Sequence, residues 1–193
     1  MASTIIERRW RRSWQATLVA LAAVVTLLIG GCGLVSPKPD STGSSHPVDD
    51  SAHPLTDDQA MAQVVDPAKQ IAAVANLQGV SGGFSFASCN DQGDPPYMGT
   101  VTMSFLLQGD PEAYFQHVRA AMVAHGWNDG PPPGQHYFGT TLNKDGVTAN
   151  MGYAPSDHSY GQIMLYGQCR NTTDHHHDGK TNSTNITSQL NAR

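Results

Sequence analysis

Charge is scarce in this 193-residue chain: 14% of its residues are Asp, Glu, Lys or Arg, and beyond the first 31 residues Glu112 is the one glutamate. A catalytic pair of glutamates is thereby excluded. The aspartates gather in turns and Ser/Pro-rich stretches, where bonding to their own backbone accounts for them. No nucleophile elbow, phosphate-cradling glycine loop or dinucleotide fingerprint is recognised, so neither a cofactor nor catalysis is expected. Long apolar runs are also missing. The one candidate, Ala16 to Ile29, would cover ~21 Å as a helix against the ~30 Å of a bilayer core, too short for a comfortable span.

That run follows Arg8, Arg9, Arg11 and Arg12 and ends in Leu28-Ile29-Gly30-Gly31-Cys32, the layout of an export signal with a small-residue cleavage site. It resembles a bacterial lipobox, although Gly30 stands where such motifs more often carry Ala, Ser or Thr. The resemblance implies that Cys32 takes a thioether-linked diacylglycerol, is acylated on its new amino group and anchors the mature chain to the membrane. Arginines mark the end that stays in the cytoplasm, which puts the rest on the extracytoplasmic face of the cell membrane. The leader holds four of the eleven basic and one of the sixteen acidic residues, leaving seven against fifteen and a formal charge of −8. Nucleic acid is an unsuitable partner for such a chain. Anionic headgroups repel it too, so attachment rests on the acyl chains.

Residues 1–31 are therefore read as a signal peptide and 32–54, rich in Ser, Pro, Gly, Asp and His, as a disordered tether. Residues 55–170 are read as one α+β domain and 171–193 as a polar tail. With Cys32 lipidated, Cys89 and Cys169 remain as a pair in an exported protein, which suggests one disulfide closing about 80 residues. The rival is a reactive or metal-binding thiol, which needs a nearby histidine.

Thr56 and Gln59 form a capping box for a helix towards Asn76, with a kink or break expected at Pro67. Phe84 and Phe86 mark a short strand, and Thr100 to Leu107 alternates cleanly between polar and apolar residues. Asp110-Pro111-Glu112 opens a second helix that closes at His125-Gly126. Gln135 to Leu142 and Val147 to Tyr153 flank a turn, and Gly161 to Cys169 is a last strand. The order implies an antiparallel sheet of about five strands with two helices packed on one face.

Two clusters could carry chemistry. In Asp174-His175-His176-His177-Asp178, an extended backbone would put His175 and His177 on one side, roughly 6.7 Å apart, suited to zinc, nickel or copper(II) with His176 adjacent. The rival reading is a solvated tail. Trp127, His136, Tyr137 and Phe138 beside Pro131-Pro132-Pro133 could line a recognition groove, or could cap the core.

The segments Ser88-Cys89-Asn90-Asp91-Gln92-Gly93-Asp94-Pro95-Pro96-Tyr97 and Gly130-Pro131-Pro132-Pro133-Gly134-Gln135, with the leader, tether, cysteine pair and three histidines, resemble mycobacterial cell-envelope lipoproteins of the LppJ type. The resemblance implies a secreted, lipid-modified, membrane-anchored protein and supplies no catalytic residue. The expectation is a non-enzymatic envelope lipoprotein that binds a partner protein or an amphipathic, lipid-like small molecule, a cavity between sheet and helices favouring the latter. The alternative is a weak divalent-metal binder using His175 to His177. A hydrolase is the third and weakest reading.

Overall fold

A computed structural model describes residues 53–192. The leader, Cys32 and nearly all of the expected tether lie outside the described residues. The elements run in the order α1 (Asp57–Val74), β1 (Gln78–Ser88), β2 (Tyr97–Leu106), α2 (Pro111–Ala124), β3 (Asn128–Asp129), β4 (Thr140–Lys144), β5 (Val147–Tyr153), β6 (Tyr160–Tyr166), β7 (Thr184–Asn185) and α3 (Thr187–Leu190).

α1 begins where the capping box places it. The Thr56 backbone N–H donates to Gln59 Oε1 (2.9 Å) and the Gln59 N–H donates to Thr56 Oγ1 (3.3 Å). Pro67 does not break the helix, which runs unbroken to Val74. Its ring removes one donor on a partly exposed flank, while Val64, Val65, Ala68, Ile71 and Ala72 keep their places in the core. That burial outweighs the lost bond.

α2 likewise starts at its expected cap, where the Asp110 carboxylate accepts from the Ala113 N–H at 2.8 Å ahead of Pro111. The β4–β5 hairpin turns through Asp145 and Gly146, both at positive φ (50° and 78°). This is the two-residue turn whose twist matches antiparallel strands.

The sheet is antiparallel throughout, in the order β3-β4-β5-β6-β2-β1-β7. It has seven strands where about five are expected, and three helices where two are. The two short edge strands and α3 account for the excess. β1 starts at Gln78, well before Phe84, because Gly79, Gly82 and Gly83 offer no side chains to reveal alternation. At Gly99 on β2 an added Cβ would lie 2.4 Å from the Ala60 carbonyl oxygen, so α1 approaches the sheet there backbone to backbone. Between the layers Val64, Ile71, Val101, Met103, Phe105, Val118, Met122, Ile163 and Leu165 all have no solvent exposure. These side chains occupy the centre of the layers, and a cavity of about 360 Å³ lies at the edge, lined by Ala72, Ala73, Asn76, Leu77, Val80 and Leu190.

The largest departure from expectation is at the C-terminal end. Residues 171–192 are a folded strap rather than a solvated tail. Asn171 bridges both Leu55 and Tyr97, β7 pairs with the outer edge of β1, and Ile186 and Leu190 are buried in the main core. Those two residues, four apart, are the one apolar signal in the segment, too sparse to establish a period.

Candidate functional site

Val101, Met103, Phe105, Ile163 and Leu165 of the central strands belong to the main core with α1 and α2. The opposite face of the sheet presents Ser85 from β1, Thr100, Thr102 and Ser104 from β2, Gln162, Met164 and Tyr166 from β6 and Asn150 from β5, all partly buried. Strand register lines these up in rows, so that Ser85, Thr100 and Tyr166 form one and Thr102, Met164 and Asn150 another. Ser85 Oγ and Thr100 Oγ1 are hydrogen-bonded at 3.0 Å. β1, β2, β5 and β6 contain no Asp, Glu, Lys or Arg at all, although the chain carries sixteen acidic residues. Water-facing sheet surfaces ordinarily display charge, whereas the centres of protein interfaces are depleted of Lys, Glu and Asp and enriched in Tyr and Met.

One end of this face is closed by a second small cluster of Cys89, Met98 and Cys169, with Ala87 and Tyr166 packed on it. The two cysteines form the expected disulfide, with Cα atoms 6.0 Å apart, across a sequence separation of 80. The bond joins the chain just after β1 to the chain just after β6, spanning the start of β2 that lies between them. In the chain-entropy account a loop of that size contributes about 4.5 kcal/mol.

The groove expected from Trp127, His136 and Tyr137 is not assembled. Trp127 is 2% exposed within the core, while His136 is exposed on the loop after Pro133. A tryptophan has enough apolar area that, three residues past α2, it is drawn into the main core. Tyr137 instead joins the open face. Its ring centroid lies 6.0 Å from that of Tyr166, its hydroxyl donates to Gln135 Oε1 (3.0 Å), and Asn150 Nδ2 donates to the neighbouring Phe138 carbonyl (2.6 Å). Burial pushes the Tyr137 and Tyr166 phenols above their ordinary value. Phe138 itself is fully exposed beside them.

The histidine run is also rearranged. His175 has no exposure, stacks on Phe86 with ring centroids 4.1 Å apart and meets the Tyr97 ring edge-on at 4.9 Å. His176 and His177 are exposed, and the Asp174 carboxylate is 2.9 Å from His176 Nδ1. The 175 and 177 rings therefore do not converge, because a stacked aromatic partner in the core draws His175 inward. Among the described residues no group of three His, Cys, Asp or Glu could hold a metal ion.

Asp57, at the first turn of α1, faces His175. Burial pushes its carboxyl up, but hydrogen bonds from Lys180, Asn171 and Thr173 and the Lys180 charge outweigh this and hold its pKa at about 2. A hydrogen bond from His175 and one from the Lys180 backbone hold Asp178 below its ordinary value.

Gly79-Val80-Ser81-Gly82-Gly83 does match G-x-S-x-G, contrary to the expectation that no such pattern is present. Ser81 lies within β1 opposite Ser104, just past an irregularity between Gln78 and Ser81, and not on the sharp strand-to-helix turn such a serine needs.

The family model described as "Putative lipoprotein LppJ" matches residues 56–189. The chain belongs to the LppJ family. It is 67% identical over 190 residues to the "Putative lipoprotein LppJ" of two strains of Mycobacterium tuberculosis and one of Mycobacterium bovis, covering 98% of this chain and 98% of each relative. No solved structure matches it. The LppJ family match ends within α3, so the strap falls inside the family's domain along with the sheet and α1.

Proposed function

We propose that this chain is a lipoprotein of the mycobacterial envelope, anchored in the cell membrane through acyl chains on Cys32, that holds a protein partner on the open face of its sheet. The reading rests on one observation: the four long strands carry no charged residue, and among the described residues the helices α1, α2 and α3 pack into the core on the other face. A flat, neutral surface of Thr, Ser, Gln, Met and Tyr suits a complementary protein surface. A small molecule would favour a concave, enclosing site, whereas the centre of the interlayer space is occupied by side chains with no exposure. The Tyr137–Tyr166 pair and the fully exposed Phe138 border the face and offer aromatic anchors with few rotatable bonds. Export by the arginine-led leader and lipidation of Cys32 place the domain on the extracytoplasmic side, where the Cys89–Cys169 disulfide persists. Binding, rather than catalysis, is supported by the place of Ser81 within β1, a strand that leads into another strand and not into a helix.

The test is photo-crosslinking of the full-length protein in its own membrane from a probe at Thr102, at the centre of the face, or at Ala120, on the exposed side of α2. A protein adduct of defined mass at Thr102, missing at Ala120 and lost when Met164→Lys is added, is the expected result. Equal labelling at both positions, an adduct indifferent to Met164→Lys, or an adduct of small-molecule mass overturns the protein-docking reading. In the same preparation Cys32→Ser is expected to abolish partition into detergent.

A further inference from the structure

The His175 side chain, itself without exposure, sits between two partly exposed carboxylates. Its Nδ1 is 2.6 Å from Asp178 Oδ2, and its Nε2 is 3.6 Å from Asp57 Oδ1 and has no hydrogen-bond partner. The ring is fixed by Phe86 on its face and Tyr97 at its edge. In the neutral ring with Nδ1–H donating to Asp178, the Nε2 lone pair points at a carboxylate, so two acceptors face one another in a buried place. A proton on Nε2 turns that contact into an attraction and makes the imidazolium a bridge between the two acids.

We propose that His175 is a proton-operated latch for the C-terminal strap: its imidazolium ties Asp178, on the strap, to Asp57, on α1, and loss of the proton loosens residues 171–192 from the domain. The carboxylates meet the requirement that they remain charged while the histidine titrates, since both are held below their ordinary values. The other charged and titratable groups around the site are Lys180, whose Nζ lies 2.5 Å from Asp57 Oδ2 and 3.8 Å from Asp178 Oδ2, and Asp58 beside Lys180. From the remaining elements come the Tyr97 phenol, which donates to the Gly93 carbonyl, Asp94 on the loop before β2, and Asp174 with its partner His176 on the strap itself. A hydrogen bond to Asp174 holds His176 above its ordinary value, and His176 is the group from which His175 must be told apart. What the latch controls is defined by the strap's contacts. The strap supplies β7 against Gly83 and Phe84, the Lys180 carbonyl that accepts from the Phe86 N–H, and the Ile186 N–H that donates to the Gly82 carbonyl. Release therefore uncovers the outer edge of β1.

The experiment is amide hydrogen exchange on the full-length, detergent-solubilised protein at about pH 5.5 and about pH 8.0, which bracket the ordinary histidine range, corrected for intrinsic exchange. Strap amides are expected to lose protection about 10-fold relative to β2 amides at the higher pH. His175→Phe, which keeps a ring on Phe86, is expected to remove the difference, and His176→Ala to leave it intact. Nitrogen-15 spectra of the wild-type imidazoles decide the matter even if His175→Phe does not fold: both ring nitrogens of His175 are expected to carry protons at the lower pH and Nε2 to lose its proton at the higher. Equal strap protection at the two pH values overturns the latch. So does a His175 that stays neutral at pH 5.5, or a pH dependence that vanishes with His176→Ala.

Discussion

The layered body of helices and sheet and the strap of residues 171–192 are held by opposite means. In the body, α1 and α2 lie on β2 and its neighbours through side chains with no exposure, and no ion pair enters that interlayer core. The strap has two buried apolar side chains, Ile186 and Leu190, and is held otherwise by backbone bonds to β1 and Tyr97 and by the polar cluster of Asp57, His175, Asp178 and Lys180. The difference teaches that one small domain can contain a part whose stability follows apolar area and a part whose stability follows pH and salt.

Phe105→Ala attacks the body where its ring is fully buried. A loss of about 4 kcal/mol, spread over all probes of unfolding, is expected from a calorimetric or denaturant titration. A loss confined to the strap would erase the distinction. Ile186→Ala attacks the strap's own apolar plug. A loss of about 2 to 3 kcal/mol is expected, appearing first as faster exchange in residues 180–192, with β2 amides little changed.

Asp57→Asn has the smallest effect and the most particular signature. Because the folded pKa of about 2 lies below the ordinary 3.8, the ionised carboxylate contributes stability that is complete above about pH 5 and fades as the pH falls through that window. The side chain is 26% exposed, so solvent screening limits the loss to about 1 to 2 kcal/mol at neutral pH. The variant's acid unfolding curve is expected to be flatter below pH 4 than that of the natural protein. An unchanged acid limb would mean that the carboxylate is not held as the geometry indicates.

The body was legible because its signals are local. Thr56 and Gln59, Asp110 and Pro111, and Asp145-Gly146 each fix a boundary through bonds made within a few residues. The disulfide followed from an even remainder of cysteines once one is assigned to lipid. The strap and the open face were not legible, for two different reasons. Residues such as Asp57 and Lys180, 123 positions apart, meet through the fold alone, and the same Asp, His, Asn and Thr composition also describes an unfolded tail. The open face announces itself by missing charge, which becomes a signal only once strand register shows which residues lie side by side. Trp127 misled because an aromatic near prolines looks the same whether it faces inward or outward.

Where the chain enters the domain has a mechanical consequence. Leu55 pairs in parallel with Asn171, its N–H donates to the Arg170 carbonyl at 2.9 Å, and the Arg170 guanidinium donates to the His53 carbonyl at 2.7 Å. Cys169, one residue further back, is covalently joined to Cys89. A tug transmitted along the preceding chain thus enters beside a covalent cross-brace and is shared between the ends of two strands rather than peeling α1 away from its cap. The domain is braced at the corner where the chain enters it.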